Sequence, residues 1–345
     1  MYSFQNDYSE GAHPNILKAL MEHNLQQEAG YGEDSFTRQA VAVLKQKLGR
    51  EDLDIHLFAG GTQTNLTTIS ALLRPHEAVI SASTGHICVH ETGAIEATGH
   101  KIIAVESADG KLRPVDIRRV LDEHGDDEHM VKPKLVYVSN STEIGTVYSK
   151  EELTGLSDFC RVHDLLLFMD GARLGSALCS PVNDLEFSDL PALVDAFYIG
   201  GTKNGALIGE ALVLCREELK AEFRYIIKQK GALLAKGRLL GIQFRELFRD
   251  ELFFELARHA NKMAAMLTTG ISQLGGHFLT DSPSNQIFPI LPNGVIHELE
   301  TKYAFYRWAP VDEEHSAIRL VTSWATPEAA VNGFLTDLQR LMADL

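Results

Sequence analysis

The 345-residue chain is short of cysteine, of cations and of long hydrophobic runs. Its four cysteines, Cys88, Cys160, Cys179 and Cys215, form no CxxC pair and no short spacing. That excludes a disulfide framework and reads as free thiols in a reducing, cytoplasmic compartment. Lys and Arg total 32 against 47 Asp and Glu, a net charge of −15 with His neutral. Nucleic acid and anionic membranes are therefore not expected partners, because both need clustered cations. The longest obvious apolar run, 165–169, is the size of a buried strand and far from a membrane span. The first eleven residues have no basic start and no apolar stretch, and they contain Asp7 and Glu10, so they do not read as a signal peptide. What is present, 45% hydrophobic and 23% charged residues, is the composition of a folded globular protein. The length exceeds what one core usually serves, so two domains are expected.

Short apolar runs alternate with amphipathic helical patterns through the first two thirds. Strands are predicted at 55–58, 78–81, 101–105, 134–138, 165–169, 196–199 and 211–214, and most are continuously apolar, as in a mainly parallel sheet covered on both faces. Helices are predicted at 35–48, 64–73, 86–97, 114–124 and 150–163. This is the pattern of a doubly wound α/β sheet with its chemistry at the strand C-termini. A helical pattern then runs over 239–274, followed by short strands at 286–291, 304–308 and 317–321 and a last helix at 327–345. The implied division is an N-terminal arm (1–12), a large domain (13–240) and a smaller α+β domain (241–345).

Three strand-end turns carry chemistry. In FYIGGTKNGA (197–206), Lys203 follows two glycines and Thr202, which suits an amine that must attach to a flat cofactor. The same string in isolation would read as a solvated loop. In LFMDGARLGSA (167–177), Asp170 directly follows a buried strand, where pyridoxal phosphate needs a carboxylate opposite its pyridinium nitrogen. A helix-capping Asp is the bland alternative. In AGGTQTN (59–65), Gly60, Gly61 and Thr62 open a helix whose backbone N–H groups would cradle a phosphate. Each is weak alone; phosphate cup, pyridinium partner and amine in one chain are not.

Together with YGED (31–34), TGHICVHETGA (84–94), DDEHMVKPKL (126–135) and AIRLV (317–321), these turns give a sequence that resembles the low-specificity threonine aldolases of the aromatic amino acid β-eliminating lyase superfamily. The resemblance implies a fold-type I, pyridoxal phosphate-dependent transferase-like architecture, with a mainly parallel seven-stranded sheet and a small α+β domain. It implies retro-aldol cleavage of L-threonine or L-allo-threonine to glycine and an aldehyde. A β-eliminating lyase or racemase on the same scaffold, or a catalytically silent cofactor-binding protein, are the alternatives.

By the same resemblance, His86 stacks on the pyridine ring, and His129 reaches the substrate's β-hydroxyl to orient it or help take its proton. From composition alone His129 belongs to a solvated loop. Arg319 and Arg173 are implied as carboxylate anchors, for which arginine's planar fork is suited. An exposed strand arginine is the ordinary reading of Arg319. Asn6 stands where relatives typically have serine before aspartate, and Glu143 where they commonly have histidine. His86 and His90 stand four apart beside Glu91, but no third ligand is suitably spaced, so no metal is expected, and His90 reads as a surface or packing residue. Tyr31 and a basic residue of 228–236 are implied to reach a neighbouring subunit's cofactor, hence a homo-oligomer, dimer or tetramer, with sites at the interface.

Overall fold

Seven strands, β1 (Asp54–Phe58), β2 (Glu77–Ala82), β3 (Ile102–Val105), β4 (Lys132–Ser139), β5 (Leu166–Asp170), β6 (Ala196–Gly200) and β7 (Glu210–Leu214), pair in the order β1-β7-β6-β5-β4-β2-β3. All neighbours are parallel except β7, which runs antiparallel to both β1 and β6. Every residue of β2, β5, β6 and β7 is buried, which explains why these strands read as unbroken apolar runs. All seven lie within two residues of the positions predicted from periodicity. The computed structural model describes residues 1–125 and 127–343. Asp126, which opens one of the motifs, and the final residues of the helix expected to reach 345 lie outside them.

Two helical expectations are corrected. Only His86–Val89 forms an α-helix within 86–97, with a 3-10 turn at Glu96–Thr98. Thr92 and Gly93, at φ of 52° and 72°, are left-handed, and a right-handed helix cannot run through two such residues. The pattern over 239–274 is two helices, Arg238–Arg249 and Leu252–Gln273, parted at Asp250, which has non-helical backbone angles.

Position 241, the expected boundary between the two domains, lies inside the helix Arg238–Arg249. Phe244, Leu247, Phe248, Phe253 and Leu256 pack in the core of the large sheet. The second core includes Phe4, Met263, Leu267, Ile271, Ile318, Leu320 and Phe334. The helix Leu252–Gln273 therefore serves both cores, one with each end. The N-terminal residues are not a loose arm. Tyr2–Ser3 pairs parallel with Tyr303–Ala304, and Phe4 is fully buried in the second core. The C-terminal sheet is organised on His315–Val321, which pairs antiparallel with Gln286–Ile287, Pro289–Pro292 and Tyr306–Pro310. Among the described residues no helix is long and apolar enough to cross a membrane.

Candidate active site

Strands β5 and β6 are parallel neighbours, and their C-termini deliver Asp170 and the Lys203 turn to one place. The join is tight: the Gly200 N–H donates to the Gly171 carbonyl at 2.9 Å. A Cβ on Gly171 would overlap the Tyr198 carbonyl oxygen, and one on Gly200 the Ala172 carbonyl. The glycines beside the two functional residues are thus demanded by the approach of the two backbones. Above this join lies a cavity of about 780 Å³, whose wall includes Gly60, Gly61, Thr62, His86, Asp170, Arg173, Thr202, Lys203 and Arg319.

Asp170 is buried. Its Oδ2 accepts from the Tyr137 hydroxyl at 2.5 Å and from Asn65 Nδ2 at 3.0 Å, and its Oδ1 from the Ala172 N–H at 2.9 Å. Burial alone would raise its pKa, but the facing His86 and the Tyr137 and Tyr198 hydroxyls outweigh that and hold it below the ordinary carboxylate range. Burial pushes the phenols of Tyr137 and Tyr198 up, so both remain proton donors. Asp170 is consequently an anion at neutral pH, able to pair with a protonated ring nitrogen. For Lys203, burial and the Arg173 charge lower the ammonium pKa against the pull of Asp7, Asp170 and Glu210. A lowered pKa makes the neutral amine, the nucleophilic form, more accessible than in a solvated lysine. Glu210, on β7, accepts from the Gly201 N–H at 3.2 Å, and burial pushes its carboxyl pKa up.

The helix Gly61–Leu72 begins at this cavity with no side chain capping its N-terminus, which leaves its first N–H groups for an anion. His86 Nδ1 lies 2.8 Å from Glu91 Oε1, and Asn65 Nδ2, from this same helix, donates to the same oxygen at 2.8 Å. This places His86 and Asp170 on one shared network through Asn65. His90 is exposed at the mouth of the same cavity, its ring centroid 5.5 Å from that of His86. Burial and the His86 and Arg319 charges lower its pKa.

The arginines divide their roles. Arg173 grips Asp7 with a fork, Nε to Oδ2 at 2.7 Å and Nη2 to Oδ1 at 3.1 Å, and Asn285 Nδ2 donates to the same carboxylate at 2.9 Å. Arg319 donates one bond, from Nη2 to the Gln5 carbonyl at 3.2 Å, while its Nε is buried without a partner. The guanidinium lies over the rings of Tyr306 and Trp308, 5.2 and 5.3 Å from their centroids. Desolvation and Arg173 lower its pKa. Ser141 Oγ and Gln286 Oε1 on the same wall are also buried and unpartnered. Buried polar groups are rarely left unpaired, so this wall is built to receive a polar ligand.

The β-eliminating lyase family model matches residues 6–291. A low-specificity L-threonine aldolase of a Pseudomonas species is 31% identical over 99% of this chain and 98% of its own length. The chain belongs to the β-eliminating lyase family. A solved threonine aldolase of Leishmania major is 52% identical, covers 99% of this chain and all of its own, and superposes with a TM-score of 0.98. The aspartate aminotransferase of Thermus thermophilus, at 18% identity and a TM-score of 0.74, shares the fold, covering 99% of this chain and 91% of its own. The protein is a pyridoxal phosphate-dependent carbon–carbon lyase of fold type I. The residues fit that cofactor: an anionic Asp170, an uncapped helix start behind Gly60, and a half-buried lysine whose ammonium pKa is lowered.

Two residues implied by likeness to the aldolases lie elsewhere. His129 is exposed in the turn before β4 and does not line its own protomer's cavity. Asn6 turns its Oδ1 to the Tyr8 N–H and the Ser9 hydroxyl, both at 3.0 Å, and is not on the cavity wall; its neighbours Asp7 and Tyr8 are the arm's contribution. Sequence reasoning misses Tyr137, Glu210, Tyr306 and Trp308, because an apolar-patterned strand residue carries no mark of the site it faces. Asn65 and Glu91 stood inside quoted motifs, and their shared hydrogen bond is visible only in three dimensions.

Proposed function

We propose that the protein cleaves L-threonine, L-allo-threonine and related β-hydroxy-α-amino acids to glycine and an aldehyde. The observation that carries this is Arg319: a half-buried guanidinium whose buried Nε has no partner among the described residues, held in the same cavity as Lys203 and Asp170. An amino acid's carboxylate is the natural partner of that fork. Bound pyridoxal phosphate supplies the electron sink for the pair left on Cα when the Cα–Cβ bond breaks.

Lys203 supplies the amine for covalent attachment of the cofactor. Gly60, Gly61 and Thr62 would take its phosphate, Thr202 flanks the lysine, Asp170 would hold the proton on the ring nitrogen, and His86 would cover the ring. Arg319 anchors the substrate carboxylate, and Arg173, already committed to Asp7, adds its remaining N–H group and positive field. Further, the enzyme works as a cytoplasmic homo-oligomer, dimer or tetramer, in which Tyr31, a basic residue of 228–236 and the His129 loop face a neighbour's site. In support, Tyr31 and Lys228 are both exposed and lie together, the ammonium 4.6 Å from the ring centroid. All four cysteines are unpaired.

The test is incubation of the holoenzyme with a panel of β-hydroxy amino acids, with glycine and aldehyde quantified. Pyruvate and ammonia from serine, or D-alanine from L-alanine, without glycine release would establish elimination or racemisation instead.

A further inference from the structure

Cleavage of a β-hydroxy amino acid requires an acceptor for the hydroxyl proton, and His129 does not line the cavity of its own protomer. Most basic groups that do line it are engaged. Asp170 accepts three hydrogen bonds and is needed by the ring nitrogen. Glu210 sits on β7 and accepts from the Gly201 N–H in the lysine's own turn. His86 is tied to Glu91. Glu143 is different. Its Oε1 is fixed by the Ser139 hydroxyl at 2.8 Å and by the backbone N–H of His86 at 3.1 Å. Among the described residues no other residue donates to its Oε2, and the side chain lines the cavity with Ser141, whose buried hydroxyl has no partner among them.

We infer that Glu143 is the catalytic residue that takes the β-hydroxyl proton, an assignment that rests on the aldolase reading above. Oε2 accepts the proton, the C–O bond becomes the aldehyde C=O, and the Cα–Cβ bond breaks with its electron pair staying on Cα, which the cofactor would stabilise when bound. The proton later added to Cα to give glycine balances the one removed. Burial and the nearby Asp170 raise the Glu143 pKa, against the Ser139 bond and the His86 charge, and a base poised nearer the working pH is the more effective one. Within the same protomer the remaining candidate, His90, has its pKa moved the opposite way and, among the described residues, no hydrogen bond to hold its ring.

The experiment compares wild type with Glu143→Gln, Glu143→Ala, His90→Asn and His129→Asn as holoenzymes. It measures retro-aldol kcat, solvent exchange of the glycine α-proton, and glycine affinity from the visible spectrum. Glycine lacks the hydroxyl, so Glu143→Gln should keep glycine affinity and exchange while retro-aldol kcat falls roughly 10²-fold or more. Added formate should partly restore Glu143→Ala. The acid limb of wild-type kcat, set by Glu143 in the field of Asp170, His86, Arg173, Tyr137 and Cys88, should vanish in Glu143→Gln. Wild-type retro-aldol rates in Glu143→Gln would overturn the assignment, as would proportional losses of cleavage and exchange. A selective loss confined to His90→Asn or His129→Asn would do the same. A wild type that exchanges glycine but cleaves no β-hydroxy amino acid would instead overturn the aldolase reading itself.

Discussion

Asp7 occupies the guanidinium of Arg173. The two-bond fork between them, 2.7 and 3.1 Å with Asp7 buried and Arg173 nearly so, joins the N-terminal residues to the turn that follows Asp170. Because it uses the Nε and one terminal nitrogen of Arg173, the site is left with Arg319 as its principal free fork. An internal carboxylate thus sorts two similar arginines into a structural and a binding role.

From this division, Arg319→Ala should weaken amino acid binding while cofactor occupancy stays intact. Loss of one partner of a buried charge pair typically costs about 2–5 kcal/mol, read as a rise in KM or in the glycine dissociation constant. Arg319→Lys should not restore affinity fully, because a point charge does not reproduce the planar fork. An unchanged KM in Arg319→Ala would remove Arg319 from the binding role.

Asp7→Asn should free Arg173 and loosen residues 1–8 from the cavity, raising KM and lowering thermal stability. The pH dependence has a defined sign. Burial would raise the Asp7 pKa, but Arg173 and Lys203 outweigh it and depress the folded-state value. The stabilisation is therefore fully present above the ordinary Asp pKa of about 3.9, and it is lost as pH falls through the depressed folded value. Thermal melts of wild type across that range should converge on those of Asp7→Asn at the acid end. Parallel curves with no convergence would show that the ion pair adds nothing.

Lys203→Ala should lose covalent attachment of the cofactor and nearly all turnover. Borohydride treatment should fix the cofactor to wild type and not to the variant, as read by intact mass. A reducible adduct of the same mass in Lys203→Ala would place the attachment elsewhere.

Gly171→Ala should disrupt the site more than its exposure suggests. The added Cβ overlaps the Tyr198 carbonyl oxygen, so β5 and β6 must part where Asp170 and Lys203 meet. Overpacking of this kind typically costs about 1–3 kcal/mol. The expected outcome is a lower melting temperature together with weaker cofactor retention. A variant with wild-type values of both would mean that the backbone shifts there without consequence.

Much was determined by the sequence alone. Continuous apolar runs identify strands buried on both faces, because such a strand must be covered by helices whatever its partners are. The turns holding Gly60, Asp170 and Lys203 are legible for a related reason: glycine and polar residues directly after an apolar run mark strand ends, where an α/β sheet places its chemistry. The boundaries between helices are less legible, since the left-handed Thr92–Gly93 step and the break at Asp250 carry no change in periodicity. What the tertiary structure alone decided is how partners are allocated. Asp7 and Arg173 are 166 residues apart in the chain and Asn65 and Asp170 are 105 apart, and no local pattern encodes such pairs. The same holds for Glu143 with its open oxygen, for His90 on the cavity wall and for His129 off it. Composition and periodicity report how each residue sits in its own element, whereas hydrogen bonds and charges are satisfied between elements, so the division of labour among two arginines and several carboxylates is settled only when the strands are side by side.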